Sequence, residues 1–298
     1  ILLQDATRRK LDWDKPIPSD IQEKWVQWIE WIRNVNQVKI PRCVKPAVHD
    51  ESYLELHHFS DANDRSYGGC SYLRCVGKSG VQTALLFSKG RVAPIKSVSI
   101  PRLELQGAVL AVRMDSMLRE ELHLDLGPST FWVDSEIVLN FIHNDSRRFQ
   151  VFVANRVSEI RNLTSPDQWN HIAGSENPAD LITRGIQPDG LMSSSWLHGP
   201  DFLSSYKSEW KREKFVPSSD FDHAEIKCSQ QIVSHVVEVS QHPIVLVVDE
   251  KTPRGLWPLL LITEVKPGRY GLVRSVTIRT KSTVLVRPVT KVVLLEGV

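Results

Sequence analysis

The chain has 298 residues, with 37 Lys and Arg against 35 Asp and Glu, so its formal net charge of +2 names no partner by itself. At 41% hydrophobic and 24% charged residues it has the composition of a globular protein, long enough for one large domain or two modest ones. No apolar run reaches membrane-spanning length, no signal-peptide pattern opens the chain, and Cys43, Cys70, Cys75 and Cys228 form no CxxC unit. These features argue against a membrane protein and against structural zinc, and fit a reduced, intracellular protein. The chain opens on Ile1-Leu2-Leu3 without an initiator Met and reads as a piece of something longer.

Residues 1–50 read as an entry segment. Ser19-Asp20 can cap a helix, and Ile21, Trp25, Trp28, Ile29 and Ile32 share one helical stripe, the pattern of a helix packed on a neighbour. Pro41 and Pro46 then interrupt the chain. In Leu54–Phe59 two kinds of side chain alternate with period two, as in a strand, and Ser60-Asp61-Ala62-Asn63 ends it. Gly69–Val76 and Val81–Ser88 flank Gly77-Lys78-Ser79-Gly80 as a hairpin. Pro101 suits the first turn of a helix that runs from Arg102 to Leu122 with an apolar stripe. Ser129–Val133 is a short strand, Ser135–His143 a helix, Phe149–Ile160 a second helical stretch and Asp167–Ile172 a last strand. Asn177-Pro178-Ala179-Asp180 starts a further helix. The order βββ-α-β-α-α-β-α predicts an α/β domain over 51–192, with a mixed five-stranded sheet flanked by helices. Residues 193–242 show no clear period and read as a linker with some helix around Leu203–Lys214. Short β-rich segments over 243–298 predict a small all-β barrel. From Lys251 to Val298 that module is basic: Lys251, Arg254, Lys266, Arg269, Arg274, Arg279, Lys281, Arg287 and Lys291 are opposed only by Glu264 and Glu296.

Four acids stand at element ends: Asp61 after the first strand, Glu104 in the first turn of the long helix, Asp134 after the fourth strand and Asp180 at the last helix. If the fourth strand lies beside the first, they converge at one sheet edge, where open α/β sheets carry their chemistry. Four acids in a dry site repel unless cations neutralise them, and hard oxygen donors suit Mg²⁺ or Mn²⁺. Two such ions about 4 Å apart suit phosphodiester hydrolysis.

The stretches FSDAN (Phe59–Asn63), IPRLELQGA (Ile100–Ala108), FWVDSEIVL (Phe131–Leu139) and NPADLITRG (Asn177–Gly185) resemble the ribonuclease H region of BEL/Pao retrotransposon polyproteins. That resemblance implies a ribonuclease H-like fold. It also implies metal-binding and catalytic roles for Asp61, Glu104, Asp134 and Asp180, and as substrate the RNA strand of an RNA:DNA hybrid, read by shape and 2′-hydroxyls. Residues 1–50 are similar to the stretch that joins reverse transcriptase to ribonuclease H in those polyproteins, which makes the reverse transcriptase portion an expected partner. The tail over 243–298 is similar to the SH3-like module that follows their integrase core. Asn63, Arg147, Arg148, Arg269, Arg274, Arg279 and Lys281 are the expected nucleic-acid contacts, the last four offering DNA a non-specific phosphate grip.

The sequence departs from the pattern in two places. The loop Ala173–Glu176 lacks the His that cellular ribonucleases H carry before the last helix, and His171 reads as a strand residue. The interval before the tail is too short for an integrase core, as in an internally deleted or mis-spliced element. An integrase-like transferase would need its Glu after the second Asp, whereas Glu104 precedes Asp134. An aspartic protease would need Asp-Thr-Gly or Asp-Ser-Gly, and neither occurs. The remaining alternative to a nuclease is an inactive remnant that binds nucleic acid.

Overall fold

A computed structural model describes residues 1–35, 38–40, 53–78, 80–144, 149–210, 214–218, 221, 223–226, 244–247, 259–267, 273–280, 283–288 and 292–294. The chain divides into two compact units, Ile1–Glu225 and Ile226–Val298.

In the first unit, helices α1 (Leu2–Arg8) and α2 (Ser19–Asn34) precede the strands β1 (Tyr53–Ala62), β2 (Ser66–Gly77) and β3 (Gly80–Val92). Helix α3 (Ile100–Leu122) then leads to β4 (Thr130–Val133), α4 (Glu136–His143), α5 (Val151–Leu163) and β5 (Trp169–His171). The short helices α6 (Asp180–Arg184), α7 (Pro188–Leu191) and α8 (Ser195–His198) follow. The sheet order is β3-β2-β1-β4-β5. The first three strands are antiparallel, and β4 and β5 run parallel to β1. This is the ribonuclease H-like arrangement that the sequence predicts.

Strand alternation divides the core. His58 and Phe131 are register partners on one face, where the His58 ring hydrogen-bonds Ser71 and Asp115 at 2.8 and 3.0 Å and stacks on Phe131. Phe59 and Trp132 are partners on the other face and stack there, against Phe202. Helices α3, α4 and α5 pack together, with α3 against β1 and β2, while α6 meets β1, β2 and β3 and α8 meets β3. Strand β1 is central, and nine of its ten residues are buried. Its polar members are satisfied internally, Glu55 by Arg74 at 2.8 Å, Lys207 at 2.6 Å and His57 at 3.2 Å.

Two expectations need correction. The helix α2 forms, but only Ile21 of its stripe is buried; Trp25, Trp28 and Ile32 are 44–47% exposed. Ser19 does not cap it either, since it lies inside the helix. The stretch 193–242, expected as a linker, packs on the first unit through Glu225. Leu203 is fully buried, and Phe202, Trp196 and Trp210 cover Phe59, Cys70, Tyr72 and Trp132. Further on, Phe221 and His223 pack edge-on against Phe141, and Arg102 pairs with Glu225 at 2.5 Å. The few apolar residues of this stretch are spaced irregularly because two 3₁₀ turns, Asp201–Ser204 and Lys207–Glu209, replace the expected helix.

The second unit is an antiparallel sheet of β6 (Ile244–Val247), β7 (Leu259–Pro267), β8 (Val273–Arg279), β9 (Val284–Pro288) and β10 (Val292–Leu294), in the order β10-β6-β7-β8-β9. Ile262, Val276 and Ile278 form its core. Among the described residues no helix is long and apolar enough to cross a membrane.

Candidate active site

Asp61 and Asp134 stand at the carboxyl ends of β1 and β4, which are hydrogen-bonded neighbours, so the topology itself brings them together. Asp61 pairs across the sheet with Gly68, whose missing side chain leaves room for Ile182 of α6; a Cβ there would lie 2.7 Å from Ile182 Cγ2 and 2.9 Å from the Lys89 carbonyl oxygen. Asp180 and Thr183 lie on that helix. From the other layer comes Glu104, in the first turns of α3. Gly107, one turn on, lets α3 approach β1, since a Cβ there would sit 3.2 Å from the Asp61 carbonyl oxygen.

Three of the four acids have a side-chain partner. The Thr183 hydroxyl donates to Asp61 Oδ2, and the Ser135 hydroxyl donates to Glu104 Oε2. Arg184 Nε lies 2.6 Å from Asp180 Oδ1, one helical turn away. Asn177 Nδ2 donates to the Ser60 carbonyl oxygen at 3.0 Å, tying the loop before α6 to the end of β1. His171 Nε2 is 3.2 Å from the Asp134 carbonyl oxygen, as a residue of β5.

The electrostatics join the four into one field. Burial raises the Asp61 carboxyl, Thr183 opposes this and the charge of Asp180 adds to it. Burial raises Glu104, against the Ser135 hydrogen bond and with the charges of Asp134 and Asp61. Asp134 is pushed up to about 6, first by burial and then by the charge of Asp61. A site that raises three neighbouring carboxyls this way attracts cations, and its donors are all oxygens, the chemistry of a hard divalent ion. Among the described residues, no group of three or more His, Cys, Asp or Glu side chains is arranged as a ready cage. The side chains are turned to Thr183, Ser135 and Arg184 instead.

The other expected contacts fall elsewhere. Asn63 is engaged within the chain: its Oδ1 accepts from the Arg65 and Ser66 amides at 2.9 Å, and its Nδ2 donates to the Thr183 carbonyl oxygen at 3.0 Å. Arg147, Arg148, Arg269 and Lys281 lie outside the described residues, as does the side chain of Arg274, while Arg279 is exposed on β8. Sequence reasoning missed Thr183, Ser135 and Arg184. Ser135 carries a signal, standing as N-cap of α4 with its oxygen accepting from the Val138 amide.

Residues 1–135 match the family model of the Pao retrotransposon-like RNaseH-like domain, a span that contains Asp61, Glu104 and Asp134 but not Asp180. Residues 223–295 match a family of unknown function, DUF5641. No curated protein matches the chain. Among solved structures, the chain is similar to the N-terminal ribonuclease H domain of Rv2228c from Mycobacterium tuberculosis, at 12% identity and a TM-score of 0.32 over 47% of this chain and 98% of that one. It is similar to ribonuclease H1 from Halobacterium salinarum at 11% identity and a TM-score of 0.30, over 48% of this chain and 99% of that one. It is also similar to LC11 ribonuclease H1, solved in complex with an RNA/DNA hybrid, at 11% identity and a TM-score of 0.32 over 46% and 99%. The family match and the strand order agree: the N-terminal part of the chain is similar to the Pao retrotransposon-like RNaseH-like domain, and its C-terminal part is similar to DUF5641.

Proposed function

We propose that the first unit is a ribonuclease H that cleaves the RNA strand of RNA:DNA hybrids with Mg²⁺ or Mn²⁺ as cofactor. The observation that carries this reading is the mutual electrostatic coupling of Asp61, Glu104, Asp134 and Asp180 at the carboxyl end of two adjacent parallel strands. Asp61, Glu104, Asp134 and Asp180 would hold the ions. Two divalent ions, when bound, supply neutralisation of the phosphate and support for the attacking and leaving oxygens. The chain's own contribution is orientation. Thr183 and Ser135 hold Asp61 and Glu104 by one oxygen each. Arg184 offers Asp180 a competing cation. The half-exposed stripe of α2 supports the reverse transcriptase portion of a parent polyprotein as a partner, and the exposed Arg279 supports weak, non-specific DNA contact by the second unit.

A second reading is an inactive element that binds hybrids without cutting them. It is favoured by the engagement of three of the acids by neighbouring side chains and by the absence of a ready ligand cage among the described residues. One assay separates the two. Purified protein with Mg²⁺ should cut RNA paired to DNA and spare duplex DNA, and Asp134→Asn should reduce cleavage to background while the protein still folds. Wild type that binds hybrid without cutting it selects the second reading.

A further inference from the structure

On the face of the sheet opposite Asp61, an open cleft of about 320 Å³ lies between the β2–β3 hairpin, α3 and α5. Its residues come from all four elements. Tyr67 and Arg91 are register partners, as are Gly69 and Lys89 and then Ser71 and Phe87, so Tyr67, Phe87, Lys89 and Arg91 share one face. Arg113 comes from α3 and Arg156 from α5. Four cations therefore meet one acid, Glu159, which is taken up by Arg113 in a two-pronged pair at 2.6 and 3.0 Å. Arg156 Cζ lies over the Phe152 ring, 3.5 Å from its centroid, and among the described residues its hydrogen bond is to the Phe152 carbonyl oxygen. No carboxylate pairs with Arg156, Lys89 or Arg91 among the described residues. Burial lowers the Arg156 guanidinium from its ordinary value, and the charge of Glu159 opposes this.

This is more than a solvated basic face. The cations converge on a concavity, one of them is held against a ring, and the lining adds the amides of Gln106 and Asn155 and the rings of Tyr67 and Phe87. Positive charge selects a polyanion, and ring faces with amides favour one whose units carry flat bases and edge acceptors. An acidic peptide would leave the rings and amides unused.

We propose that this cleft binds single-stranded nucleic acid, with Lys89, Arg91 and Arg156 on phosphates and Tyr67 or Phe87 against a base, independently of the acidic edge. The test uses the full chain and a fluorescently labelled single-stranded DNA 12-mer, titrated across a salt series. Lys89→Gln with Arg91→Gln should weaken binding about tenfold near 0.1 M salt and lower the salt slope by about 1.4, two phosphate contacts at about 0.7 each. Glu159→Gln should tighten binding about threefold by removing the cleft's one negative charge. A variant that was merely damaged would not gain affinity, so the two arms guard each other. Unchanged affinity and slope in the double variant, or no gain in Glu159→Gln, overturns the proposal. So does a poly-glutamate peptide or a mononucleotide that competes as well as an unlabelled 12-mer. The 12-mer is not a hybrid, so the result does not depend on whether the acidic edge cuts RNA.

Discussion

At Asp134 burial and two neighbouring acids push in one direction, to about 6 against an ordinary value of 3.8. In the metal-free protein the native state keeps a proton between 3.8 and about 6 that the unfolded chain has already released. Stability from this group is therefore present below the ordinary value and lost as pH rises through about 6, on the order of 1–2 kcal/mol after solvent screening. Urea melts in EDTA from pH 4.5 to 7.5 should show Asp134→Asn more stable than wild type at pH 7, with the gap closing toward the acid end. Parallel curves would remove the charge-repulsion account. Asp61, Glu104 and Asp134 were legible in the sequence because each ends or opens an element whose pattern is strong. Thr183 and Ser135 were not, because a hydroxyl shows its partner only when α6 and α4 are set against β1 and α3. The bonds of Asn63 were hidden for a related reason: an Asn after a strand serves its own turn as readily as a ligand.

Among the elements, the meander was readable to within four residues at each strand end and α3 to within two, since long periodic segments carry the strongest signal. Helix α6 was not. Its expected cap, Asn177-Pro178, leads through a turn, and the helix itself is five residues, Asp180–Arg184. So short a helix has little stability of its own and is placed by contact with the sheet. Gly68 makes that contact possible. Gly68→Ala should push Ile182 and the Lys89 carbonyl aside, costing about 1–3 kcal/mol by overpacking. It should also separate Thr183 from Asp61. The check is a thermal melt combined with the cleavage assay: a variant of wild-type stability and activity would mean that α6 is not held through this glycine.

For the whole molecule, the boundary between units falls at Glu225 rather than near residue 192. The sequence concealed this because the covering layer is built from scattered aromatic residues, not from a period. A chain ending at Ile226 should unfold in one cooperative transition. A chain ending at Met192 should lose the cover over Phe59, Tyr72 and Trp132 and the buried Leu203, whose truncation to Ala alone is worth about 2–5 kcal/mol. Comparable melting of the two fragments would show the covering layer to be dispensable. The same layer encloses Cys70, fully buried beside Tyr72, with burial pushing its thiol up to about 12. A thiol so protonated and so shielded reacts with an alkylating reagent only while Phe202 and Leu203 are lifted away. The protein thus contains its own chemical clock, and the modification rate at this one sulfur reads how often the aromatic lid breathes.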